Sequence, residues 1–262
     1  MDLAKFISLL SKDALYFACP CEFDDPFEGY FPKSWVEDQV NESRKRIEGY
    51  EEFIHEIASL NLKDNKQFDD NALMFVDDKI KEIDYGINGI NTSLQTVIEE
   101  NISQSGVSCW HKSEHESEAM WKLYSASGQG IAIESSIGRL NDSIINKESL
   151  EIKSVEYISE DEQKKEYGKH DPLFLKRKSF EHEKELRAII SLKEKGKGTF
   201  VECDLDKLIS RIHISPLVEP YFKEIVEKIC AGKVRGINKP VTRSTLFDKP
   251  NYEVTALALR PG

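Results

Sequence analysis

Residues 106–135 read "GVSCWHKSEHESEAMWKLYSASGQGIAIES", and the order of textures in this stretch decides the fold. GVSCW has the length and apolar content of a strand. A charged loop carrying His111 and His115 follows. Ser117, Met120, Trp121 and Tyr124 then recur at helical spacing, so they share one face of a helix over Glu116 to Tyr124. That stripe is expected to face inward, with Met120 as core and with the Trp121 and Tyr124 rings able to stack on a planar ligand. GIAIES reads as a second strand. The glycines of SASGQG precede a strand rather than a helix, which excludes a Rossmann or P-loop arrangement.

The same texture continues downstream. SVEYI, LRAIISL, GTFVEC, RIHIS and VTALAL read as short strands, and helices are expected at Pro172 to Lys184 and Val218 to Cys230. Without a regular βαβ rhythm, the expected class is α+β, with a mixed or antiparallel sheet and flanking helices. Upstream the period changes. Leu73, Val76, Ile80, Ile83, Ile87, Ile90, Leu94 and Val97 alternate steps of three and four, and Val36, Val40, Ile47, Tyr50, Ile54 and Ile57 follow similar spacing. The polar NLKDNKQFDDN between them reads as a turn, so an inserted long antiparallel helical hairpin is expected over 35–100, with the α+β domain formed by 1–34 and 101–262. The hairpin reads either as an arm for a protein partner or self-association, or as a helical layer packed on the domain.

Charge separates these regions. Residues 1–100 carry 10 basic and 22 acidic side chains, and residues 101–262 carry 26 and 25, so the net charge of -11 belongs to the first part. An acidic surface repels phosphate backbones, so nucleic acid is admitted only as a substrate of the C-terminal part. No apolar run approaches the roughly 18–20 residues of a membrane span, and no cationic start or cleavage site marks a signal peptide. A cytoplasmic protein is expected. Five scattered cysteines argue against a disulfide framework and for reduced thiols.

Four groups of residues carry possible chemistry. Cys109, His111 and His115 have zinc-like spacing but lack a fourth ligand nearby, so surface histidines in a charged loop are the simpler reading. In FLKRKSFEHEKELRAII, Lys176, Arg177 and Lys178 precede Glu183, Glu185 and Arg187. If a strand begins near Lys184, Glu185 and Arg187 share a face, as a salt bridge or as a site where a glutamate meets hydroxyls and an arginine meets an anion. In YFACPCEFDDPFEGYF, Asp24, Asp25 and Pro26 signal a turn, followed by Glu28 and Gly29. Asp25, Glu28, Glu183 and Glu185 together would also suit Mg²⁺ in a metal-dependent nuclease.

As an assembly, ALYFACPCEFDDPFEG, SCWHKSEHESEAMWKLYSASGQGIAIES, FEHEKELRAI, LISRIHISP and VTRSTLFDKPNYEV resemble the bacterial family called domain of unknown function 2971. The resemblance spans most of the chain except the hairpin. The early Asp-Pro turn with its glutamate, the aromatic-rich middle and the late Glu-x-Glu also look like the ADP-ribosyltransferase group, which includes bacterial toxins. That second resemblance implies an NAD-using effector, a toxin or an antiphage defence component. It makes Glu185 the carboxylate that stabilises oxocarbenium character and Glu183 the group that orients the acceptor. Trp110, Trp121 or Tyr124 would hold nicotinamide, Arg187 or Lys176 would meet the pyrophosphate, and Asp25 and Glu28 would complete the site. The group also grips NAD with an Arg or His on its first strand, where this chain has the helix-like MDLAKFISLL. The alternatives are a non-catalytic interaction protein acting through its hairpin and the metal-dependent nuclease.

Overall fold

The computed structural model describes residues 1–63, 78, 81, 89, 94–125, 128–159, 166–168, 170–232 and 236–250. The fold is mixed helix and sheet, of the α+β class. The chain forms two compact units, Met1–Leu15 with Ser113–Lys147 and Phe200–Gly262, and Tyr16–Lys112 with Glu148–Thr199. This division differs from the expected single domain with an insert at 35–100, because the segment before Lys112 groups with the strands that follow Glu148.

In the first unit, α1 (Leu3–Lys12) starts at Asp2, whose carboxylate accepts from the Lys5 N–H, and buries Phe6, Leu9 and Leu10. The helix stops at Asp13, which is left-handed at φ 50°. Strand β3 (Ile131–Glu134) pairs antiparallel with β9 (Arg211–Ile214), and β10 (Val241–Arg243) pairs parallel with β9. Ile131, Ile212 and Ile214 are fully buried, as is Val226 on α7 (Pro220–Cys230). The helix α4 (Glu118–Tyr124) begins two residues later than the expected Glu116, because Ser117 is its cap and accepts from the Met120 N–H. Trp121 is buried, and its indole donates to Glu116, whose carboxylate also accepts from Ser244. Tyr124 is exposed, which corrects the expectation that the whole stripe packs inward.

In the second unit, the sheet order is β2 (Ser105–His111), β7 (Glu185–Ser191), β4 (Glu151–Ser154), antiparallel throughout. Every residue of β7 except Ser191 is buried, which explains its near-continuous apolar run. Val107 and Ile189 pack with Leu173 and Phe174, against which Phe23 lies. A helix at Pro172 to Lys184 is not formed. A 3-10 turn Asp171–Phe174, a strand β6 (Leu175–Arg177) and a second 3-10 turn Lys178–Glu183 stand there, with β6 parallel to β5 (Glu156–Ile158). The pairing of the Leu175–Arg177 backbone with β5 overrides the helical pattern.

Helix α2 (Lys33–Lys63) is 31 residues long and covers the Val36 to Ile57 spacing. A helix α3 occupies 94–103, while the polar connection and Leu73, Val76, Ile80, Ile83, Ile87 and Ile90 of the expected hairpin fall outside the described residues, as does VTALAL. No described helix is long and apolar enough to cross a membrane.

Cys19 and Cys21 form a disulfide, which corrects the expectation that every thiol is reduced. Cys19 is fully buried and Cys21 exposed. Cys109, Cys203 and Cys230 are free. Denatured but unreduced protein should therefore give three thiols by a colorimetric reagent and five after reduction. Five before reduction would show that the bridge does not form.

Candidate active site

Three carboxylates and two cations converge within the second unit. Lys176, the middle residue of β6, lies 2.5 Å from Glu183, 3.2 Å from Glu28 and 3.5 Å from Glu185. Arg187 on β7 lies 2.8 Å from Glu28 and 2.9 Å from Glu185, and its other terminal nitrogen donates to the Leu173 carbonyl at 2.6 Å. The side chains of Arg187, Glu28 and Glu185 are 1%, 4% and 8% exposed, so water screens these charges little. Beside them Arg177 pairs with Asp25 at 2.8 Å and lies over the Phe27 and Phe180 rings.

Local backbone geometry explains the convergence. Glu185 and Arg187 are two apart on β7 and therefore share a face. Glu183 ends a 3-10 turn rather than lying on the strand, and the left-handed Lys184, at φ 42°, joins it to β7. Asp25 holds the opposite loop, accepting from the Phe27 N–H through its carboxylate and from the Glu28 N–H through its carbonyl. Gly29 follows at φ 79°, and a side-chain carbon there would stand 2.7 Å from Ile102. Glycine thus permits both the turn and the close approach that bring Glu28 inward.

Counting Glu28, Glu183 and Glu185 against Lys176 and Arg187, the cluster holds one surplus negative charge. Burial opposes ionisation of Glu185, but the charge and hydrogen bond of Arg187 outweigh it, aided by Cys109 and Lys176, and its pKa lies below the ordinary glutamate range. For Lys176 burial again opposes the charged form, and Glu183, Glu185 and Glu28 overcome it and raise the pKa. Cys109 is exposed by residue surface area, yet its thiol is crowded by protein atoms. That crowding, then the Glu185 charge, pushes the Cys109 pKa well above the ordinary thiol range, so it is a protonated thiol and not a nucleophilic thiolate.

Sheet register sorts the remaining candidates. Directly opposed residues of an antiparallel pair project to the same face, and His111 opposes Glu185 while Cys109 opposes Arg187. Trp110 opposes Leu186 and so projects to the other face, which removes it from the carboxylate site. Trp121 and Tyr124 belong to the first unit. Lys176 and Arg187 are committed to carboxylates rather than left for a pyrophosphate, which corrects that assignment. Glu183, Glu185 and Glu28 are brought together around Lys176, and Asp25 pairs with the neighbouring Arg177. The aromatic groups beside the cluster are Phe27, Phe180 and Tyr157, whose hydroxyl oxygen accepts from the Glu185 N–H at 2.7 Å. Of these only Phe27 is strongly exposed. The run of mixed charges flanking Phe180 in the sequence was the one available sign of its place.

Among the described residues no three His, Cys, Asp or Glu side chains are grouped to hold a metal ion. Lys176 and Arg187 stand between the carboxylates, where a divalent cation of a nuclease would have to sit. In the first unit a recess of about 480 Å³ lies at the end of α7, with Glu227 and Lys239 its charged lining groups. It gathers no comparable set of titratable groups, so the chemistry is sought at the carboxylates. No family model, curated protein or solved structure matches the chain.

Proposed function

We propose that the chain is an enzyme of glycosyl transfer, using NAD as an ADP-ribosyl donor in the manner of the ADP-ribosyltransferase group, with a nucleic acid or protein as acceptor in a toxin or defence setting. The observation that carries this reading is the surplus negative charge where Glu28, Glu183 and Glu185 meet around Lys176 and Arg187. Cleavage of the bond between ribose and nicotinamide builds positive charge on the sugar, and a fixed carboxylate in a poorly screened site stabilises it. Glu185 serves this role, held ionised by Arg187. Glu183 orients the acceptor, and Lys176 and Arg187 position the two carboxylates instead of binding phosphate.

The test is turnover of labelled NAD by the full chain with RNA, DNA and protein acceptors, accompanied by calorimetric binding. Glu185→Gln, which keeps shape and removes charge, is expected to lower turnover about a hundredfold with NAD affinity nearly unchanged. Absence of both binding and turnover in the wild type would overturn the reading. The competing reading is favoured by the near-complete burial of Arg187, Glu28 and Glu185: the cluster only fastens the Asp25–Glu28 loop to the sheet of an interaction protein. In that case Glu185→Gln leaves the cellular effect intact, while removal of 36–97 abolishes it.

A further inference from the structure

We infer that His111 is the base that takes the acceptor's proton, an inference that rests on the glycosyl-transfer reading of the same site. His111 ends β2 directly opposite Glu185, on the face that carries Arg187 and Cys109. Its Nδ1 lies 2.6 Å from the backbone carbonyl of Glu183. A carbonyl oxygen only accepts, so Nδ1 carries the proton, and in the neutral ring Nε2 is the bare lone pair. That Nε2 is shielded from water and has no hydrogen-bond partner. An unsatisfied polar atom in such a place is unfavourable, and a donor on a bound substrate removes that penalty. Cys109 on the same face is exposed by residue surface area, so that side of the strand reaches solvent.

The carboxylates are poorly suited to the same task. Glu28, Glu183 and Glu185 each face Lys176, and two of them also face Arg187, so protonating any of them would weaken an ion pair. His111 faces no cation of its own in an ion pair, and its tautomer is set by the peptide that joins Glu183 to Lys184. One peptide thereby orients both the base and the strand start at Glu185. In the transfer step the acceptor's O–H or N–H bond breaks and its proton passes to Nε2, giving an imidazolium. The freed electron pair bonds to the ribosyl carbon, and the electron pair of the departing bond leaves with nicotinamide, so no oxidant or reductant is involved.

The test uses the full chain and two variants. His111→Asn retains an amide N–H able to donate to the Glu183 carbonyl and removes the lone pair; His111→Gln places its amide further out, near the Nε2 position. Both are expected to lower transfer about 10²- to 10⁴-fold while thermal midpoint and NAD affinity hold. An active wild type with an unimpaired His111→Asn overturns this inference and leaves the glycosyl-transfer reading standing; a wild type that neither binds nor turns over NAD overturns both. If the variants do not fold, nitrogen NMR of the wild-type imidazole decides, since a neutral ring protonated on Nε2 contradicts the assignment.

Discussion

Arg187→Met lowers folding stability by about 3–5 kcal/mol, because it removes one cation of a buried ion-pair cluster and leaves Glu28 and Glu185 to share Lys176 with Glu183. Arg187 is 1% exposed and faces both Glu28 and Glu185, and it also donates to the Leu173 carbonyl. Methionine fills much of the volume, so lost packing contributes little. The deficit comes from two carboxylates shielded from water and one carbonyl left unsatisfied. Urea unfolding measures it, with an accompanying fall in thermal midpoint on the order of 10 °C for a chain of this size. Adding Glu28→Gln to Arg187→Met should recover part of the loss, since the second change removes a charge that the first had orphaned. Simple additivity of the two losses would show that the ion pair is not the source.

Lys176→Met produces a loss of the same order at neutral pH, with a pH signature that Arg187→Met shares only in part. In the wild type the lowered pKa of Glu185 contributes stability that is fully present above the ordinary carboxyl range, and it is lost as pH falls through the lower folded value. The raised pKa of Lys176 contributes stability that is fully present below the ordinary ammonium value of about 10.4, and it is lost only as pH rises through the folded value. The wild-type contribution is therefore level from about pH 5 to 10. Without Lys176 the shared cation of all three carboxylates is gone, and proton uptake by the folded state relieves the repulsion. The difference in urea midpoint between wild type and Lys176→Met should shrink from pH 7 towards pH 4.5. A difference that stays constant over that interval would mean that the ammonium contributes through packing alone.

The parts of this molecule that sequence made legible are those set by local chemistry. β7 was visible because a run such as LRAII, buried on both faces, needs no alternation, and α1 and α7 were visible through their apolar spacing. Glu183, Glu185, Lys176, Arg187, Asp25 and Glu28 stood out as a charged set beside turn and strand signals, and they do converge. What escaped was decided by pairing across distance. The face occupied by Trp110 depends on its register with Leu186, and shifting that register by one residue would have put it beside Glu185. Lys176 and Arg187 looked available for phosphate because no sequence pattern shows that Glu28, roughly 150 residues earlier, reaches both. The commitment of His111 Nδ1 to a carbonyl 72 residues away is likewise a product of the folded sheet. The Pro172 to Lys184 stretch was misread for a related reason, since its backbone pairs with β5 rather than with itself.

The Cys19–Cys21 bridge encloses only Pro20, and this short span sets what it can do. Cross-linking stabilises a fold chiefly in proportion to the chain freedom it removes from the unfolded state, and for a loop of about three residues that amounts to about 1.6 kcal/mol at 25 °C. Its influence is therefore local, on the turn from which the chain runs directly into Asp25 and Glu28. Reducing agents in a storage buffer will leave the protein folded, with a melting midpoint lower by only about 3–6 °C, while loosening the approach to its carboxylates, so two folded preparations can differ in how well they hold a ligand.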